Sequence, residues 1–249
     1  AVAKLVGDTS AAAGLNVSIL KGTLQIGDGG TVGLLNGLNS LTIDSGATLV
    51  FNRSDSIDFD GSISSLVTGA GLLVQAGATG TTRLVGDNSQ FSGNVHVEAG
   101  ILDAAASQTL EKVGQIIISS GAQLQFSSDY VTGFAGAGPD VTIQGGALHG
   151  GILSFLASGG ADTFGIVHDL TLDGGTVSSG GVSPSGNVNS LLLTGSLNVT
   201  DDAEISARYV GFVSATPGAS TEITVAPSKT LLFSGTISDD ASMNVSSFN

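Results

Sequence analysis

The chain has no cysteine, no tryptophan and only two tyrosines, and it carries seven Lys and Arg against 21 Asp and Glu. Each shortage excludes something. Without cysteine there are no disulfides, no thiolate nucleophile and no Cys-ligated metal. A chain that must stay unfolded while it crosses an oxidising compartment is well served by that absence. A net charge of −14 leaves no basic footprint for phosphates, so nucleic acid is not an expected partner and anionic membrane surfaces are disfavoured. Mean hydropathy is +0.37, yet no apolar run approaches the roughly 18 residues of a membrane helix. Runs of Glu, Lys, Arg and Gln are also missing, and only ASQTLEKVG, 106–114, is expected to make a helical turn or two.

What is present is glycine, 38 of 249 residues, and short apolar–x–apolar triplets with the period of strands. The triplets begin at Val17, Leu41, Leu72, Val95, Ile116, Val141, Leu170, Leu197 and Ile223. Their spacings are 24, 31, 23, 21, 25, 29, 27 and 26 residues, about 26 per step. Longer self-similarity overlies this rhythm. LVGDTSAAAGLNVSILKGTLQI (5–26) matches LVGDNSQFSGNVHVEAGILDA (84–104) once Leu15 is skipped, with Leu5/Leu84, Gly7/Gly86, Val17/Val95, Gly22/Gly100 and Leu24/Leu102 among the identities. LTIDSGATLVF (41–51) matches IIISSGAQLQF (116–126) at an offset of 75, against 78 to 79 for the first pair.

A segment of two dozen residues cannot bury its own apolar face. Stacking the next such segment at strand spacing satisfies the backbone groups of both and extends one core. The pattern therefore predicts a single all-β domain over 1–249, a parallel β-solenoid of roughly nine coils with no internal linker. Leu41, Ile43, Ala47, Leu49 and Phe51 should point inward, Thr42, Asp44 and Thr48 outward, and Gly46 should turn the corner. An antiparallel sandwich would read SGA as a hairpin turn, but it gives no reason for registers near 26 and 78. Longer loops are expected near 52–65 and 149–169, projecting from the stack, and 180–190 reads as a turn-rich connection.

Leu84, Gly86, Asn88, Phe91, Ser92, Gly93, Val95, Val97, Gly100 and Leu102 resemble the passenger-associated transport repeat of bacterial autotransporters, and 5–24 is a degenerate copy with Ala12 in place of the aromatic. The resemblance implies a right-handed parallel β-helix that helps drive its own export by type V secretion and is displayed on, or secreted from, a Gram-negative surface. It also implies an N-terminal signal peptide and a C-terminal outer-membrane β-barrel. Residues 1–14 lack a basic segment followed by an apolar core, so the chain is expected to be a section of a longer passenger, attached to membrane only through that absent barrel.

Reactive constellations are few. The Gly-Asp-Ser-Gly motif of the family's serine proteases is missing from IDSGA (43–47) and FSGN (91–94). His96 and Glu98, at i and i+2, are expected to point outward as a solvated pair. Asp44, Asp173, Asp201 and Asp202 sit near coil corners where β-helical glycan lyases and hydrolases place carboxylates, but Arg53, Arg83 and Arg208 are few for gripping acidic sugars. Asp55, Asp58 and Asp60 could approach a Ca²⁺ ion, yet the EF-hand's closing Glu is replaced by Val67, so an acidic solvated loop is expected. Sequons at Asn16, Asn52, Asn198 and Asn244 are read as incidental. No residue is assigned as catalytic, cofactor-binding or metal-ligating. The expected function is a non-enzymatic virulence-associated stalk and adhesin or self-association module, whose partner is a host-cell or matrix ligand or another passenger. The alternative is a glycan-degrading enzyme on the same scaffold.

Overall fold

The computed structural model describes residues 1–8, 14–35, 37–59, 67–86, 88–128, 131–132, 138–145, 150–156, 163–180, 189–207, 209–212 and 221–237. These form a β-solenoid in which every paired strand is parallel to its neighbour. The chain winds over three faces in a fixed order. The first face is a ladder through Val2–Leu5, Gly22–Ile26, Ala47–Phe51, Leu72–Gln75, Asn94–Val97, Gln115–Ile118, Asp140–Gln144, Leu170–Gly180, Leu197–Ser206 and Ile223–Val225. The second starts at Ser56–Phe59 and climbs through Thr81–Leu84, Ile101–Ala104, Gln123–Phe126 and Ile152–Leu156. It continues through the C-terminal halves of the two long strands to Leu231–Phe233. The third has Leu15–Ile19, Leu38–Ile43 and Val67–Gly69 at one end, and Thr163–Val167, Asn189–Leu193, Tyr209–Phe212 and Thr236–Ile237 at the other. Between them it narrows to a bridge, Gly69 to Phe91, and to turns joined by Leu110 N–H on Val131 O at 2.9 Å.

Alternation decides what is inside. One inward column of the first face runs Leu24, Leu49, Leu73, Val95, Ile116, Val141, Leu170, Leu197, and the next runs Ile26, Phe51, Gln75, Val97, Ile118, Ile143, Leu172, Val199. On the second face Phe126 and Phe155 stack in register and meet edge to face at 5.3 Å between ring centres. Nearer the start of the stack, Phe51 of the first face and Phe59 of the second meet edge to face at 4.8 Å. Large rings fill the interior between faces, where smaller side chains would leave a gap. Gln75 is the exception within its column. It is buried, its Nε2 reaches Gly77 O and Gly80 O at 3.4 Å each, and its Oε1 has no partner among the described residues.

From Val95 onward the triplets pair in the order and at the spacings read from the sequence. Of the earlier steps, Val17 to Leu41 pairs likewise at its 24-residue spacing, and the next two do not. Val17 and Leu41 lie on the third face, whereas Leu72 lies on the first, so the 31-residue step joins two faces rather than two coils. Leu41 pairs with Val67, and Val95 pairs with Leu73, one residue beyond the triplet's start. The stack consequently makes about seven turns, against the roughly nine coils expected from counting triplets.

The duplicated segments show the same displacement. The strand at 15–19 belongs to the third face and its counterpart at 94–97 to the first, while 22–26 and 101–104 occupy the first and second. The pair 41–51 and 116–126 is offset likewise, by three turns and one face. The repeat therefore encodes a strand–corner–strand unit that serves both the third-to-first and the first-to-second edge. At the matched corners Gly46 and Gly121 adopt φ of +81° and +75°, with open space around a would-be Cβ.

The segment 106–114 is a run of turns rather than a helix. Gln108 sits at φ +59°, which a right-handed helix does not accommodate, and Thr109 Oγ1 donates to Ala106 O at 2.6 Å. Within the expected loops, Ser56–Phe59, Ile152–Leu156 and Thr163–Val167 are strands of the stack rather than projections from it, while residues 60–65, 149, 157–162 and 181–188 lie outside the described residues, as does the degenerate repeat's Ala12. Among the described residues no helix is long and apolar enough to cross a membrane.

Two glycines separate the two ways this fold uses the residue. A Cβ on Gly93 would fall 1.9 Å from Gly71 O, a backbone atom of the coil below, whereas one on Gly121 would meet nothing. Gly121→Ala is expected to cost about 1–2 kcal/mol from its positive φ alone. Gly93→Ala is expected to cost more, because two ladders must part. Urea unfolding of both variants measures the order, and equal losses would contradict it.

Candidate functional site

Outward side chains of successive coils fall into rows about one strand spacing apart. The middle row of the second face reads Asp58, Arg83, Asp103, Gln125, Ser154, Ser178, Ser206. Arg83 bridges its neighbours, with Nη1 on Asp58 Oδ1 at 2.9 Å and Nε on Asp103 Oδ2 at 3.0 Å. Asp103 is buried although it points outward, and Ser127 Oγ donates to its other oxygen at 2.5 Å. The hydrogen bond to Asp103 leads the effects that push the Arg83 guanidinium still higher than usual, so it is a fixed cation. Further along the same face, a separate inter-coil bond runs from Gln123 Nε2 to Ser154 Oγ at 2.8 Å.

Arg53 is spent differently. It is buried at the first corner, its Nη1 donates to Gly33 O at 2.7 Å, Nη2 donates to Thr31 O, and the guanidinium grips Asp55 with two bonds of 2.8 and 2.9 Å. That hydrogen bonding holds the Asp55 carboxyl below its ordinary range. The acidic loop read as a possible Ca²⁺ site thus has Asp55 paired with Arg53 and Asp58 paired with Arg83, and Asp60 lies outside the described residues. Arg208 also lies outside them.

The four corner carboxylates do not converge. Asp44 lies between the third and first faces near the start of the stack. Asp173 and Asp201 pair across the bend of the two long strands, far along the other end. There Thr200 Oγ1 donates to Asp173 at 2.9 Å, Lys229 Nζ to Asp201 at 2.6 Å and Thr230 N–H to Asp202 at 2.7 Å. Lys229 lowers the Asp201 pKa and is itself raised by it. Every carboxylate at this bend is bonded to the next coil or its own strand, an arrangement that joins coils.

His96 and Glu98 do point outward together, Nδ1 to Oε1 at 3.4 Å. The register adds a partner that adjacency in sequence could not show: Ser119, one coil up, lies 2.9 Å from His96 Nε2. Hydroxyl, imidazole and carboxylate stand in the order of an acyl-transfer triad. Glu98 is 51% exposed and His96 27%, so water competes for each of these bonds, and the row is read as another inter-coil ladder.

A second cluster forms at the edge between the third and first faces. His168 Nδ1 lies 2.9 Å from Asp140 Oδ1 and 3.7 Å from Asp169 Oδ2. Asp169 Oδ1 accepts from Ser196 N–H at 2.6 Å and from Ser196 Oγ at 2.8 Å, bonds that depress its pKa. A signal for this cluster was present in the sequence, since Asp140 and Asp169 each precede a paired triplet, VTI and LTL.

No family model, curated protein or solved structure matches the chain. Its interpretation rests on the residues and on this geometry.

Two outcomes are expected from the charges. The folded pKa values of Asp55, Asp169 and Asp201 lie below the unfolded value of 3.8, so their contribution is present above that pH and is lost as pH falls through the folded values. Urea midpoints should decline below about pH 4, and the decline should be shallower in Asp169→Asn. Separately, Arg83→Met strands the buried Asp103 with Ser127 alone, at an expected cost of about 1–3 kcal/mol. The double change with Asp103→Leu should recover part of that loss in the same assay.

Proposed function

We propose that this chain is a non-enzymatic β-solenoid section of a bacterial autotransporter passenger, a surface stalk that also adheres or self-associates and that aids its own export by folding coil upon coil. The observation that carries the reading is what the repeat residues do. Leu84, Phe91, Val95, Val97 and Leu102 are buried in the shared core. The Asn88 side chain accepts from Val67 N–H at 3.0 Å and donates to Gly86 O at 3.0 Å, tying one coil to the previous one. Gly93 lets the coils touch. Each of these residues spends its chemistry on a neighbour within the stack. That economy suits a scaffold, and a stack of nearest-neighbour contacts can fold progressively from one end.

Adhesion would draw on the outward rows of Ser, Thr, Asn, Gln and Asp, whose regular spacing presents repeated weak donors and acceptors to a host-cell or matrix surface or to another passenger. The specific observation on the other side is the Ser119–His96–Glu98 order, together with the carboxylates at the long-strand bend, which keeps an enzyme acting on glycans or esters as the second reading.

Displaying the chain on a cell through a heterologous outer-membrane β-barrel tests both. Attachment to matrix-coated surfaces or cell–cell aggregation should rise over cells carrying the barrel alone. A panel of acidic and neutral polysaccharides should yield no new reducing ends or unsaturated products, and a fluorophosphonate should leave Ser119 unlabelled. Unchanged adhesion and aggregation would reduce the role to a spacer, and product formation or labelling would favour the enzyme.

A further inference from the structure

We infer that Asp140, His168 and Asp169 form a binding site for a divalent first-row transition ion, with Zn²⁺ as its representative. Each residue offers one ligand atom, and the three atoms all lie within 4.8 Å of one another. Two of the separations from His168 Nδ1, 2.9 and 3.7 Å, already approach the spacing of neighbouring donors around such an ion. Donors about 2.0–2.2 Å from a metal stand roughly 2.9–3.6 Å apart.

The donor types narrow the ion. One imidazole nitrogen with two carboxylate oxygens suits Zn²⁺, Mn²⁺ or Co²⁺, whereas Mg²⁺ and Ca²⁺ prefer oxygen throughout. Charge points the same way. Two carboxylates face a single imidazole, and among the described residues neither has a Lys or Arg partner. By contrast, Asp55, Asp58, Asp103 and Asp201 all do.

The site is also held in place before any ion arrives. Asp169 gives one oxygen to Ser196 N–H and Oγ, leaving the other turned toward His168. The cradle depends on Gly195, where a Cβ would fall 2.3 Å from that anchored oxygen. Backbone fixes the rest: His168 N–H donates to Pro139 O and Val141 N–H to Asp169 O, 2.9 and 2.8 Å, so ligands from two successive coils keep their register. A carboxylate with one oxygen anchored and the other turned to the site has the support that metal ligands ordinarily receive from the residues behind them. An ion here would clip one coil to the next at an edge where the third face begins again.

Calorimetric titration of the EDTA-treated protein with Zn²⁺ tests the inference. One ion per chain is expected, together with a rise in the thermal midpoint that EDTA reverses. His168→Ala and Asp140→Asn should weaken binding by more than the about 10- to 100-fold that loss of a supporting outer residue costs, while His96→Ala should not. Mg²⁺ at the same concentration should leave the midpoint unchanged. As a measurement independent of those variants' folding, Mn²⁺ should broaden the amide resonances of Asp140, His168 and Asp169 in the unaltered protein before others. Zn²⁺ affinity retained in His168→Ala, absence of binding at millimolar Zn²⁺, or broadening centred elsewhere would overturn the site.

Discussion

The structure depends on one constraint, the parallel hydrogen-bonded register between each coil and the next. Every backbone donor and acceptor along a strand is satisfied only by the strand one turn away, so a coil is half-finished until its neighbour arrives. Once the register is set, alternation is set with it. A slip of one residue would turn Val95, Ile116 and Val141 outward and expose the row beside them to the core. The apolar columns and the polar rows are thus two consequences of a single alignment.

That constraint also explains how charge is used. With few cations available, each described arginine is placed where it links coils: Arg83 spans three levels of the second face, and Arg53 ties a buried corner to the preceding turn. Lys229 does the same at the long-strand bend. Hydroxyls and amides fill the remaining inter-coil positions, as in Thr42 with Thr68 and Gln123 with Ser154. A surface built this way is acidic and regular. It leaves the Asp140–His168–Asp169 edge conspicuous as a place where negative charge is gathered without a Lys or Arg partner among the described residues.

The repeats show how one unit meets several demands. The same string of residues forms a third-face strand and first-face strand early in the chain, and a first-face strand and second-face strand later. This is possible because all three faces ask for the same things: two inward apolar residues, a corner the backbone can turn, and an outward residue that tolerates solvent. Gly46 and Gly121 turn different edges with nearly the same backbone angle.

The sequence by itself determined the strand period, the parallel stacking and most of the core, because burial on one side of a strand leaves a direct trace every second residue. It also determined the later registers, where triplet spacing equals coil length. It did not reveal that the chain passes over three faces, because an apolar triplet looks the same on each, and so 41–43 and 72–74 were aligned although they belong to different ladders. Nor did it place Ser119 on His96, or Asp140 beside His168, 23 and 28 residues apart. Those meetings are decided by how many residues each corner consumes. Corner length is set by backbone packing between coils, which only the assembled stack fixes.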